Sequence, residues 1–497
     1  MLASWTAVPA QSPPSDQTLI ALERARSLGG GALEKILTGS DAQLAARAAL
    51  AIGRTKNPAG VPLLEAHIND RSIALRAMSV YGLGLLGTGA SARQIILKIQ
   101  HDGAGAVRIA ALDAIGRYVA GSKLHGSDPA LAAIVIGSAL QKDADPIVRA
   151  RAATAYEAFR DGPMGDYASH ALVAAWNRER NEDVRWHIMW TIFRGYAVRV
   201  PRQVLAAALH DHSELVRIEA VRAYGRLKNK DAIADLQPLT QDESWRVQLQ
   251  ALESIRALSG QALTEHLKEM PAGIHTPPVH VQNFMEIAPL PRANFVGKPS
   301  APTAADAITT PKINPVTSAF ITGPMPGPHP QVRIHTTKGT IIVMLFPEWA
   351  PLTVENFLNL TNRGYYDGLR WFRIVPDFVA QTGDSGNTGE GDAGYMIGAE
   401  ENPLEQRSYA LSMGLNYDTG PIRDSAGTQF YITLSPQLHL NRDFTVFGQV
   451  TSGFDVLGRL VETDTMLRVE QIPDAPYLAN SEENAKSAFS LRSSTRR

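Results

Sequence analysis

Two hydrophobic periods divide this chain. From about residue 15 to 270, apolar residues recur at helical spacing, as in Ala106, Val107, Ile109, Ala110, Leu112 and Ile115, and again in Val216, Ile218, Val221 and Tyr224. Such spacing predicts amphipathic helices with one face to bury. From residue 331 the period falls to two. The stretches 331–336 (QVRIHT) and 340–345 (TIIVML) read as strands joined by a turn at 337–339. A helix is expected to open at 350–357, with Pro351 in its first turn, and to end at the glycines of 364–368. Short strands and glycine-rich loops follow to 450, then a helix at 454–461 and a last strand at 466–472. Many short strands with few helices predict a closed barrel. Between the two patterns, residues 271–330 keep neither period and hold 13 of the 31 prolines, which predicts a semi-extended linker.

The helical half repeats. Arg47, Arg76, Arg108, Arg149, Arg185, Arg217 and Arg246 each stand near the start of an alanine-rich apolar helix, at intervals of 29 to 41 residues. Six positions before five of them lies an aspartate: Asp41, Asp70, Asp102, Asp143 and Asp211. Glu179 and Thr240 occupy that slot in the other two. An acid just before a helix accepts hydrogen bonds from its free N–H groups. The arginine one to two turns on lies within reach of an acid of its own or an adjacent repeat. No single pair of helices buries such a face, so neighbours must stack. The region resembles HEAT-type helical repeats, which implies an all-α solenoid over 15–270 that binds an unknown protein partner. Trp186 and Trp190 share one helix face and are expected in the core.

Composition narrows the picture. A net charge of −1 gives no field to recruit nucleic acid, and no basic stripe with interleaved aromatics appears. No 18-residue apolar run is present to span a membrane. Cysteine is absent, which excludes disulfides and thiol chemistry, and the histidines show no metal-ligand spacing. Residues 1–14 end a small-residue run, Val8-Pro9-Ala10, before a Pro/Ser-rich stretch, but lack a basic start and a full apolar core. They read as a signal-peptide remnant or a disordered terminus. With the missing cysteines they support an exported, periplasmic bacterial protein, the cytoplasm being the alternative. The polar stretch 476–497 is expected to be disordered.

The chemistry centres on residues 371–384, WFRIVPDFVAQTGD, which place Arg373, Phe378 and Gln381 at fixed spacing in an apolar run. The stretch reads as short strands broken at Pro376, with Val379 and Gln381 on one face and Arg373 arriving across the bend. Further motifs follow in order: APLTVENF at 350–357, LSM at 411–413, GTQFYI at 427–432 and LNRDFTVFG at 440–448. Residues 331–475 are similar to the cyclophilin-type peptidyl-prolyl cis–trans isomerases, whose corresponding pattern for the central stretch is FHRxxPxFxxQxGD.

The resemblance implies an eight-stranded barrel with two helices and a site on one outer face. It places Arg373 at the catalytic arginine position and Gln381 at the substrate-carbonyl position. Phe378, Val379, Tyr431, Leu440 and Phe444 take the proline-pocket positions, Gln429 a second polar position, and Gly414 the edge that pairs with substrate. His439 stands where some members carry tryptophan, which argues against tight cyclosporin binding. Val379 replaces the usual methionine, Tyr431 a phenylalanine, and Asn441-Arg442 an Asp-Gly turn. The 415–425 loop, with Tyr417, Asp418, Arg423 and Asp424, is longer than usual. No cofactor and no metal are implied. The expected activity is isomerisation of Xaa–Pro bonds in protein clients, as a folding catalyst or chaperone. The alternative is a scaffold that holds proline-containing segments without turnover.

Overall fold

The computed structural model describes residues 14–260, 329–389, 394–416 and 421–472 of the 497. The expected signal remnant (except Pro14), most of the linker, Tyr417 and Asp418, and the polar tail therefore lie outside the described residues. Two compact units contain the described segments, one on each side of the proline-rich stretch.

The first unit is all α. The arginine-bearing helices are Ala42–Arg54, Ile73–Leu86, Gly105–Ala120, Pro146–Ala155, Glu182–Thr191, Glu214–Gly225 and Trp245–Ser259. They alternate with partner helices such as Ala92–His101, Asp128–Lys142 and Gly165–Trp176. Alanine and glycine are frequent because the backbones approach closely. A Cβ placed on Gly53 would lie 2.6 Å from Gly82 Cα in the next arginine helix. Trp186 and Trp190 are buried core residues. No described helix is long and apolar enough to cross a membrane.

The repeated arginines form a ladder that runs from one repeat to the next. Arg108 donates through Nη1 to the Asp102 carbonyl of its own repeat (2.9 Å) and through Nε and Nη2 to the Asp143 carboxylate of the following one (2.7 and 2.8 Å). Arg76 does the same with the Asp70 carbonyl and the Asp102 carboxylate, and Arg149 with Asp143 and Glu179. Arg185 follows with Glu179 and Asp211, and Arg217 with Asp211 and Asp242. Each guanidinium thus satisfies a loop carbonyl and clamps the following repeat's carboxylate, in a bidentate fork for all but Arg185, whose Nε and Nη2 share Asp211 Oδ2. The carboxylates also accept from the N–H two residues on, at Ser72, Ala104, Asp145, Asn181, Ser213 and Ser244. Those residues flank the helix start. The acid therefore fixes the flanking residue; of the repeating acids among the described residues only Asp41 bonds first-turn N–H groups directly, those of Gln43 and Leu44.

The last repeat departs from the expected Thr240–Arg246 slot. Asp242 takes the acid position and Gln248 the arginine position, donating to the Asp242 carbonyl at 2.6 Å. Arg246 instead reaches back to Glu214 at 3.1 Å. In this last described repeat a neutral amide makes the same carbonyl contact that the arginines make before it.

The second unit is an eight-stranded antiparallel sheet: β1 (Gln331–Thr336), β2 (Gly339–Leu345), β3 (Arg373–Val375), β4 (Val379–Thr382), β5 (Ala410–Met413), β6 (Phe430–Thr433), β7 (Val446–Ser452) and β8 (Met466–Ile472). The order is β3-β4-β6-β5-β7-β2-β1-β8. Its ends meet where Arg370 bridges Thr465 and Trp371 N–H donates to the Asp464 carbonyl at 3.0 Å, which curls the sheet closed. Alternate residues Val332, Ile334, Ile341, Val343 and Leu345 point into the core with Phe357, Tyr366, Trp371, Phe430 and Phe447. His329 and Pro330, grouped with the linker by composition, belong here: His329 is buried beside Glu348 and the Pro330 carbonyl accepts from Leu345 N–H.

The helix Pro351–Asn362 packs on the barrel, its first N–H groups at Leu352 and Thr353 held by the buried Glu400 carboxylate. The second helix, expected over 454–461, is a single turn, Phe454–Leu457. Asp464 accepts from Val461 N–H at 2.8 Å and draws the chain toward the closing strand.

Candidate functional site

Pro376 and Asp377 turn β3 back into β4. Asp377 takes φ of 57°, and its carbonyl accepts from the Ser435 hydroxyl and from Gln437 Nε2. This hairpin sets Arg373 directly across from Gln381, and Gln381 across from Tyr431 on β6, which in turn faces Ser412 on β5. Four strands thus present one row of side chains.

Arg373 Nη1 donates to Gln381 Oε1 (3.2 Å), Gln381 Nε2 to Gln429 Oε1 (3.0 Å), and Gln429 Nε2 to the Gly389 carbonyl (2.9 Å). A guanidinium only donates and a carbonyl only accepts. The two ends therefore fix the orientation of both amides between them. Gly414 N–H donates to the Gln429 carbonyl at 2.8 Å, and a Cβ there would lie 3.0 Å from Gln429 Cβ. A side chain at this position, just past β5, would crowd Gln429 and push on the relay.

The Arg373 guanidinium also sits over the Phe378 ring, 5.4 Å from its centre, and His439 stacks on that ring's plane at 5.8 Å. Burial pushes the Arg373 pKa down, opposed by the charge of Glu462. Arginine's ordinary value is high enough that it stays charged. Among the described residues Arg373 makes no ion pair. Tyr431 is buried with Phe444 edge-on at 5.8 Å. Val379 is buried two residues before Gln381, and Leu440 is half-buried beside His439 in the 3-10 turn Leu438–Leu440.

Residues 331–476 match the family model of cyclophilin type peptidyl-prolyl cis-trans isomerases, and residues 31–116 and 202–272 match HEAT repeats. Peptidyl-prolyl cis-trans isomerase B of Bacillus subtilis (strain 168) is 45% identical over 127 residues, covering 25% of this chain and 85% of that protein. A peptidyl-prolyl cis-trans isomerase of Synechococcus elongatus is 38% identical over 147 residues, covering 29% of this chain and 98% of that protein. A crystal structure of a cyclophilin type isomerase from Cryptosporidium parvum is 28% identical over 29% of this chain and 98% of that one, with a TM-score of 0.28. The chain belongs to the cyclophilin-type peptidyl-prolyl cis–trans isomerase family.

Within this cyclophilin unit, the Tyr431 hydroxyl is buried beside Ser412 and Gln406 and makes no hydrogen bond of good geometry among the described residues. Burial pushes its pKa far up, so it stays neutral. Of the longer loop, Arg423 pairs with Glu401, and Asp424 accepts from Ala399 N–H at 2.7 Å.

Sequence reasoning missed Asp384 and Gly389. The fully buried Asp384 carboxylate accepts from the N–H groups of Gly386 (2.8 Å), Thr388 (2.6 Å) and Gly389 (2.6 Å). It folds the 385–389 loop so that the Gly389 carbonyl meets Gln429. The Gly-Asp pair closing the central motif, followed by glycine, asparagine and threonine, was the available signal of such a turn.

Proposed function

We propose that this chain isomerises Xaa–Pro bonds of polypeptide clients at the Arg373 site, and that its HEAT solenoid holds a client or partner protein. The observation that carries the reading is a charged guanidinium that pairs with no carboxylate among the described residues, aimed by a polarised amide relay and flanked by aromatic and apolar side chains.

Rotation about an Xaa–Pro bond must cross a barrier of about 20 kcal/mol, because the amide loses its resonance as it twists. In the twisted state the prolyl nitrogen regains a lone pair. A fixed cation and donor near that nitrogen stabilises the twisted state more than the planar one. Phe378, Val379, Tyr431, Leu440 and Phe444 would hold the proline ring while the acyl side turns. Gln381 and Gln429 would orient the guanidinium and meet a substrate carbonyl, and the Gly414 strand would pair with the peptide backbone. Nothing covalent forms, and no proton needs to move.

A solenoid that binds the same client on the same chain raises the effective concentration of its proline bonds at the barrel. The absence of cysteine supports placing this activity in an oxidising, exported compartment; cell fractionation that found the protein wholly cytoplasmic would remove that part.

The test is peptide isomerisation by the full chain and by Arg373→Ala. A drop of about 100-fold in kcat/KM is expected. Equal rates would instead favour a scaffold that binds proline segments without turnover.

A further inference from the structure

We propose that a ridge of Arg160, Arg194 and Arg226 on the solenoid is a docking surface for a carboxylate-rich peptide segment of a partner protein. This deepens the reading of the solenoid as a protein-binding array and is independent of the isomerase site.

The three arginines follow the arginine-bearing helices of consecutive repeats. Arg194 Nε and Arg160 Nη1 lie 3.0 and 3.2 Å from the same oxygen, Glu157 Oε1. One carboxylate between two guanidiniums leaves positive charge over. Asp161 also pairs with Arg160 at 3.1 Å, but its side chain is 88% exposed and its contribution is screened by solvent.

One repeat further on, the arrangement changes. Glu157 stands eight positions after Arg149, and the residue eight positions after Arg185 is Phe193. An aromatic ring thus replaces the acid, and the Arg226 guanidinium carbon lies 4.4 Å from its centre. The ring covers one face of the guanidinium and leaves the in-plane N–H edges to solvent. Among the described residues no side-chain or backbone acceptor meets them. Burial, and then the like charges of Arg194 and Arg160, push the Arg226 pKa down. These are cations held together at a cost, which an incoming anion would relieve.

Phe193 and Arg194 sit in a one-turn π-helix, Ile192–Tyr196, the kind of local widening often found at functional sites. A planar fork resting on an aromatic ring is suited to bidentate carboxylate capture. An extended peptide presents alternate side chains on one face about 7 Å apart, so a run of Asp or Glu can meet more than one cation. Nucleic acid fits less well, since Arg226 already covers the Phe193 ring and the chain carries a net charge of −1.

The test uses the full chain with fluorescent deca-glutamate, deca-lysine, a neutral Gly-Ser decapeptide and oligo-thymidylate. Deca-glutamate is expected to bind most tightly, more weakly as salt rises. Arg226→Ala should cost about 10-fold and Arg226→Glu more, with unfolding midpoint and turnover of a short Xaa–Pro peptide unchanged. Equal affinity in wild type and Arg226→Ala, or tighter oligo-thymidylate than deca-glutamate, overturns the proposal. If a basic or neutral peptide binds and deca-glutamate does not, the acidic assignment fails and peptide binding by the solenoid stands. If no peptide binds, both fail. Loss of turnover alone would indict the barrel site only.

Discussion

The solenoid and the barrel use the same side chain for opposite ends. Arg76, Arg108, Arg149, Arg185 and Arg217 each meet a loop carbonyl and a carboxylate, so their charge is committed. Arg373 meets a neutral amide oxygen and an aromatic ring, so its orientation is fixed but its charge is not consumed. The difference teaches how to separate arginines that hold a fold from one that acts on something else. What matters is not burial, since both kinds are largely buried, but whether a carboxylate is bound in the resting protein. Arg226 falls on the barrel's side of this line although it lies in the solenoid.

The contrast can be broken from either side. Removing a ladder arginine leaves a nearly buried carboxylate with only its loop N–H donor, and a loop carbonyl without its guanidinium. Arg108→Ala should cost the solenoid about 3 kcal/mol in denaturant unfolding, because breaking one arm of a buried pair exposes the full desolvation penalty. Peptide turnover by the barrel should not change. A turnover loss matching the stability loss would mean that the two units do not separate as described.

A smaller effect is expected where the relay is anchored. Asp384→Asn keeps shape but loses the charge that gathers three backbone N–H groups, so the Gly389 carbonyl drifts from Gln429. A fall of about 10-fold in kcat, with KM little changed, would mark loss of orientation. Combined with Gln429→Ala, the two losses should not add, since both act through one relay. Additive losses would count against it.

The smallest effect per residue is acid sensitivity of the ladder. Burial alone would raise the Asp102 and Glu179 pKa values, but the hydrogen bonds from Arg76 and Arg149 and from loop N–H groups outweigh it, and both carboxyls are held below their ordinary values. A depressed folded-state pKa contributes stability that is present above the unfolded value of about 4 and is lost as pH falls through the folded one. The solenoid should therefore weaken below about pH 4. In Arg76→Ala, which removes the guanidinium bound to the Asp102 carboxylate, part of that acid dependence should already be gone.

Both folds were legible because their signals are local. The helical period, the recurring acid and arginine, and the ordered barrel motifs each lie within a few residues of sequence. What was not legible depended on register between distant segments. The pairing of Arg76 with the following repeat's Asp102, rather than with its own acid, is set by how repeats stack. The shift from Thr240 to Asp242 was hidden because Arg246 imitates the repeating spacing while facing Glu214. The short second helix was overread because its apolar residues continue past Leu457, where Asp464 pulls the backbone away. At the site, Arg373 and Gln381 share a hairpin and could be paired on paper. The link from Gln429 to Gly389 crosses 40 residues, and no spacing rule points to it.

The central claim is that the uncommitted charge at Arg373 lowers the barrier to proline rotation. It is tested most directly by the kcat/KM of Arg373→Ala on an Xaa–Pro peptide, with the unfolding midpoint measured on the same sample. Turnover should fall about 100-fold at an unchanged midpoint. Turnover equal to wild type, in a protein equally well folded, would contradict it.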